Sequence, residues 1–269
     1  MLTWLRGEDE VTRDGDRGRH LSVKLVFAVV LVLVCLAGLN VYDVVTAGVP
    51  SDAYKLPNQL GVIYWHGDPH RAAVALTFDD GPNPPYTPRL LALLKANDVK
   101  ATFFLVGERV EAEPALARAV IEAGHAIGNH TYDHARLVLK TESGVENELM
   151  KAETAIERAT GVMPRFFRPP YGSEDRFTLE ASKALGYVAV EWSVSSKDWR
   201  RPGVDAIVDN VLRQVKNGSI ILMHDGGGDR SETIDAVARI IPELRRRGFE
   251  FVTIPDLLDI RATFDATVR

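Results

Sequence analysis

The chain has 269 residues, 46% hydrophobic and 26% charged, an ordinary globular balance that excludes wholesale disorder, collagen-like repeats and a coiled coil. Its 32 Lys and Arg against 37 Asp and Glu leave a net charge of −5, which argues against a nucleic-acid partner. The single cysteine, Cys35, excludes an internal disulfide framework and a cysteine-based zinc site, so any metal falls to His and carboxylate.

Residues 1–24 are polar and carry Arg6, Arg13, Arg17, Arg19 and Lys24. Residues 25–42 then run without a charge and are apolar all round, just long enough as a helix to cross a thin bilayer. A buried core helix would show an amphipathic stripe, and this run has none. A cleaved signal is the rival reading, with Val45-Thr46-Ala47 as a weak cleavage site. The basic residues precede the run, and the twelve residues after Asp43 add only Lys55. The positive-inside bias therefore predicts a retained anchor with a cytoplasmic N-terminus and an extracytoplasmic body; cleavage would instead give a secreted protein. The predicted organisation is a tail over 1–24, a transmembrane anchor or uncleaved signal over 25–42, a linker over 43–70, one domain over 71–260 and a tail over 261–269.

Within the domain, short β-rich runs fall at 74–78, 101–106, 126–128, 165–168, 187–193, 220–223 and 249–253. Amphipathic helical patterns alternate with them at 88–96, 111–123, 145–160, 178–185, 204–216 and 232–247. This alternation predicts an α/β fold with a parallel sheet. The strand number suits an incomplete or distorted (β/α) barrel, with an open doubly wound sheet as the alternative. No glycine-rich phosphate loop follows the first strand, which disfavours a nucleotide site.

The chemistry-bearing residues collect just after predicted strands. These segments are Asp79-Asp80-Gly81, His130-Thr131-Tyr132-Asp133-His134, Arg168-Pro169-Pro170-Tyr171-Gly172, Ser195-Ser196-Lys197-Asp198-Trp199 and His224-Asp225-Gly226. In α/β barrels such loops converge on one face. His130 and His134 are four apart; on a helical turn both imidazoles would face one ion. The plain reading is a surface or chance pair. Asp79 and Asp80 would supply a third ligand and a base, although Asp-Asp-Gly is more often a turn. Arg168 is either solvated or held beside an active-site carboxylate, which it would keep ionised. His224 reads as a buried structural histidine or as a general acid. His20, His66, His70 and His125 read as structural or incidental.

Together these segments resemble the NodB-type polysaccharide deacetylases, carbohydrate esterase family four, over roughly 71–259. The resemblance implies a distorted (β/α)7 barrel, a divalent metal (Zn²⁺ or Co²⁺) and hydrolysis of acetyl groups on glycans. By motif it implies Asp79 as the base, Asp80, His130 and His134 as metal ligands, and Arg168 as the residue that positions the base. It further implies the Tyr171 N–H as an oxyanion donor and Asp198 as the partner of the catalytic His224. Trp199 would form a groove wall, and Leu222 would receive the acetyl methyl. Two departures stand out: Ser195 replaces the usual acid three before Asp198-Trp199, and Ala135 replaces a proline. The first puts the network around Asp198 in question. The expected activity is N-deacetylation of a cell-wall or extracellular glycan, first of all peptidoglycan N-acetylglucosamine. The alternatives are an O-acetyl esterase and an inactive membrane-anchored glycan-binding protein.

Overall fold

The computed structural model describes residues 55–58 and 61–260; the basic tail, the apolar run 25–42 and residues 261–269 lie outside them. Among the described residues, no helix is long and apolar enough to cross a membrane. The chain runs β1 (Lys55–Asn58), β2 (Gly61–Tyr64), β3 (Ala73–Gly81), α1 (Tyr86–Ala96), β4 (Thr102–Leu105), α2 (Gly107–Ala112) and α3 (Pro114–Glu122). It continues with β5 (Ala126–Asn129), α4 (Glu142–Thr160), β6 (Phe166–Phe167), α5 (Arg176–Ala184), β7 (Val188–Val190) and β8 (Val194–Ser195). Then follow α6 (Val204–Gln214), β9 (Ile220–His224), α7 (Ser231–Arg246), β10 (Glu250–Phe251) and α8 (Ile254–Leu258).

The strands form one sheet in the order β1-β2-β7-β6-β5-β4-β3-β9-β8, with β10 beside the start of β3. Every ladder from β2 to β8 is parallel. β7 and β8 are neighbours in the chain but lie far apart in this order. Residues 191–193 cross between them as a strap. Glu191 N–H donates to Tyr64 O at 2.8 Å, and Ser193 N–H donates to Ile220 O at 3.1 Å. The sheet is thus curled into a parallel half-barrel.

The two-residue period of a strand explains how β3 serves both faces. Val74, Leu76 and Phe78 pack outward in a large cluster with Ile207, Val211, Ile240, Ile241 and Leu244 of α6 and α7. Ala73 and Ala75 face inward with Phe104, Phe166, Val190 and Ile220. Thr77 and Asp79 continue that inward row, both buried.

The structure departs from the sequence expectation at several places. Residues 55–58 and 61–64, read as linker, form two strands, and β2 joins the main sheet through β7. Pro57 and Gly61 interrupt the apolar pattern there, and Pro and Gly read as loop signals. The helix expected over 111–123 is two helices, because Pro114 lacks the N–H an interior position needs and instead opens α3. The strand expected over 187–193 stops at Val190, where the strap begins.

Gly128 on β5 has no room for a side chain: a Cβ there would lie 2.5 Å from two Phe104 ring carbons and 3.1 Å from Phe166 O. Gly128→Ala is expected to destabilise by about 1–3 kcal/mol, read from the urea midpoint.

Candidate active site

β3 ends in a register shift between Asp79 and Gly81. Asp80 there adopts a left-handed backbone, φ 71°. Across the ladder, Asp79 pairs with His224 and Thr77 with Leu222. Paired residues on adjacent parallel strands share a face, so the expected base and acid stand side by side. Arg168, just past β6, is completely buried and reaches both groups of the inward row. Its Nη1 donates to Asp79 Oδ1 and to Thr77 Oγ1, each at 2.8 Å. Its Nε and Nη2 donate to Val190 O at 3.2 Å and Glu191 O at 3.0 Å. The guanidinium also stacks on Phe104, 4.1 Å from the ring centre.

Asp80, His130 and His134 converge, with one ligand atom from each lying within 4.8 Å of the others. His130 Nε2 is 3.4 Å and His134 Nε2 is 3.1 Å from Asp80 Oδ1. That oxygen is buried and has no hydrogen-bond partner among the described residues, as suits a group that faces a cation. His130 Nδ1 donates to Arg168 O at 2.7 Å, which leaves Nε2 of the neutral ring as a lone-pair donor toward the cluster. The three side chains therefore fit a divalent metal. Burial alone would raise the Asp80 carboxyl; the two imidazoles outweigh it and hold it below the usual range. The histidines do not sit on a helical turn, contrary to the sequence reading. They belong to an irregular loop in which Thr131 (φ 66°) and His134 (φ 61°) are left-handed. Asn129 fixes this loop by accepting from Thr131 N–H at 2.8 Å and donating to Leu149 O at 2.9 Å.

His224 Nδ1 lies 2.8 Å from Asp198 Oδ1. Burial would lower the imidazole pKa, but the Asp198 carboxylate, with the Asp79 and Asp80 charges, pushes it up to about 9. His224 is then protonated at neutral pH and can donate a proton through Nε2. Asp198 also accepts from Ser196 Oγ (2.9 Å), Thr233 Oγ1 (2.9 Å) and His224 N–H (2.8 Å). Ser195 takes no part in this network, which Ser196 and Thr233 complete without it. The sequence reading missed both, because an isolated Ser or Thr gives no signal.

Asp79, Asp80, His130, His134 and His224 line a cleft of about 590 Å³ together with Tyr171, Trp192, Trp199 and Leu222. Trp65 packs elsewhere, against the cluster of Phe167 and Tyr187. His125 is structural: buried, it accepts from Ala101 N–H, and burial, then Lys100, lowers its pKa to about 4.

The polysaccharide deacetylase family model matches residues 66–190. A peptidoglycan-N-acetylglucosamine deacetylase of Bacillus cereus is 40% identical over 200 residues, 74% of this chain and 93% of the relative. The chain belongs to the polysaccharide deacetylase family. It is a hydrolase. A chitooligosaccharide deacetylase of Bradyrhizobium sp. is 42% identical over 69% of this chain and 90% of its own length. A crystal structure of the Bc1960 peptidoglycan N-acetylglucosamine deacetylase, bound to 4-naphthalen-1-yl-N-oxidanyl-benzamide, superposes with a TM-score of 0.73 at 39% identity. That match covers 75% of this chain and 95% of the other.

The deacetylase fold also buries a group that sequence reading did not single out. Glu191 is inaccessible to solvent, and neither of its carboxyl oxygens has a good hydrogen-bond partner among the described residues. Burial, then the neighbouring Glu174 charge, pushes its carboxyl up to about 9 against the pull of Arg168. A charged residue between Val190 and Trp192 in an apolar run was the available signal.

Two outcomes follow from these charges. Glu191 keeps its proton when folded and loses it near 4.5 when unfolded, so its stabilising contribution falls as pH rises from 4.5 to about 9. Glu191→Gln copies the protonated acid without titrating. Its melting temperature relative to the parent should therefore be higher at pH 8 than at pH 5. Asp198→Asn removes the anion that raises His224; the alkaline limb of kcat/KM should shift to lower pH by at least about one unit, with kcat reduced.

Proposed function

We propose that the protein hydrolyses the N-acetyl group of N-acetylglucosamine in peptidoglycan and releases acetate. The observation that carries this reading is the placement of Asp79 and His224 side by side, next to the Asp80, His130 and His134 cluster in one cleft. The Bacillus cereus relative, a peptidoglycan deacetylase by name, supports the substrate. The chitooligosaccharide deacetylase relative favours neutral N-acetylglucosamine oligomers as a second substrate.

Asp80, His130 and His134 would hold the ion, Zn²⁺ first and Co²⁺ second; when bound, it polarises the acetyl carbonyl and lowers the pKa of water. Asp79, held by Arg168, takes a proton from the attacking water. The Tyr171 N–H donates to the oxyanion that develops on the carbonyl oxygen, a contribution of about 3 kcal/mol for one donor. His224 gives its proton to the departing amine, a poor leaving group without one. Leu222 receives the acetyl methyl, and Trp199, half exposed, offers a face to a sugar ring.

The curled sheet supports the fuller description as a distorted (β/α)7 barrel, with β3 to β9 as its seven strands. The charge-free run 25–42 and the arginines before it support a retained membrane anchor with the domain outside the cytoplasm, next to the wall.

The test is acetate release from peptidoglycan, chitin oligomers and acetylated xylan, before and after chelation and Zn²⁺ addition. Metal-restored release from peptidoglycan is expected; release from acetylated xylan alone would move the assignment to an O-acetyl esterase, and no release with metal bound would point to a binding protein. Asp79→Asn and His224→Ala are expected to lose at least about 100-fold in kcat while retaining metal. Asp80→Asn and His130→Ala should lose both metal and turnover, with metal content read by elemental analysis.

A further inference from the structure

The chemistry above leaves three cations of the cleft unused. Arg136, Lys197 and Arg200 line its mouth, and all are exposed. Among the described residues none of the three forms an ion pair with a carboxylate. Of the cleft's own carboxylates, Asp79 is paired with Arg168, and Asp80 faces the position that a metal would take. A chain of net charge −5 therefore gathers, at the entrance to its site, three positive charges without an ion-pair partner among the described residues.

Two of these cations are held by aromatic rings, and the backbone of the third is fixed. The Arg136 guanidinium lies 4.2 Å from the centre of the Tyr171 ring, and that of Arg200 lies 4.6 Å from the centre of the Trp199 ring. Lys197 adopts φ 58° directly before Asp198, whose carboxylate is pinned by His224, Ser196 and Thr233. Like charges around one opening repel one another, and a neutral glycan would offer nothing to offset that. Together they make a positive field at the cleft mouth that attracts an anion and weakens with salt.

We propose that Arg136, Lys197 and Arg200 form an anion subsite that takes a carboxylate from the sugar next to the one being deacetylated. The subsite makes the enzyme prefer an acidic glycan over a neutral one. This inference rests on the deacetylase reading above. In peptidoglycan the neighbouring sugar is a muramic acid. Its carboxylate lies on the lactyl ether where the peptide is absent, or on the stem peptide where it is present.

The experiment uses the full chain loaded with Zn²⁺ and three tetrasaccharides. One is all N-acetylglucosamine, one alternates N-acetylglucosamine with peptide-free N-acetylmuramic acid, and one carries stem peptides. The parent should show kcat/KM at least tenfold higher on a carboxylated glycan than on the neutral one at low salt, with the advantage shrinking as salt is added. Preference for the peptide-free glycan assigns the lactyl carboxylate; preference only for the peptide-bearing one assigns the stem. The triple variant Arg136→Gln, Lys197→Gln, Arg200→Gln should lose this advantage, mainly through KM, while the neutral glycan changes less than about threefold. Arg136→Lys with Lys197→Arg should retain it. Equal losses on neutral and carboxylated glycans, or no salt-sensitive preference in the parent, would overturn the proposal. If the parent releases acetate from none of the three, the deacetylase reading fails. Calorimetric binding of the same glycans then decides the subsite: tighter, salt-sensitive binding of a carboxylated glycan that the triple variant abolishes supports it, and equal binding refutes it.

Discussion

A guanidinium with no access to water must find every partner inside the protein, and Arg168 is such a group. Its side chain fastens β3 through Thr77 and Asp79, the end of β7 through Val190, and the strap through Glu191. Its own carbonyl accepts from His130 and so orients a metal ligand. One residue thereby aligns the base, the metal cluster and the closure of the half-barrel. Glu191 is part of the same arrangement: protonated, it adds no second anion beside the Arg168–Asp79 pair.

The site divides its work between strands and loops. Asp79 and His224 stand on paired positions of β3 and β9, so ladder hydrogen bonds fix their separation. His130, His134, Tyr171 and Trp199 stand outside the strands, Asp80 stands at the irregular end of β3, and there the backbone is strained. Asp80, Thr131, His134, Tyr171 and Lys197 are non-glycine residues in left-handed conformation, each costing on the order of 1 kcal/mol. Glycine would relieve the strain, but at Asp80 and His134 it would delete the ligand.

The alternation of short apolar runs with amphipathic helices was enough to place most of the parallel strands, though not β2 or β8, and most helices, because burial on both faces makes such strands continuous in hydrophobicity. The segments that meet in the cleft were legible for the same reason: each ends or follows such an apolar run, although Asp79, Asp80 and His224 prove to lie within β3 and β9 themselves. What escaped was set by tertiary context. β1 and β2 are interrupted by Pro57 and Gly61, which read as loop. The convergence of His130 and His134 depends on left-handed residues that a spacing of four does not encode. Ser196 and Thr233 complete the Asp198 network as ordinary hydroxyls. Arg136, Lys197 and Arg200 look in sequence like any solvated cations; only folding brings them to one opening.

The strap across the half-barrel has a consequence for the shape of the groove. A ladder would lock adjacent strands into one register, but no ladder joins β7 to β8. β8 keeps its height from β9, through Ser195 beside Leu222, while β7 keeps its height from β2 and β6. At this seam the wall that bears Trp199 and the wall that bears Tyr171 are therefore joined by the strap and by Arg168 rather than by a ladder. The width of the groove at the seam is thus set by three residues of chain, while the proton-transferring pair is fixed by the β3–β9 ladder, to one side of it.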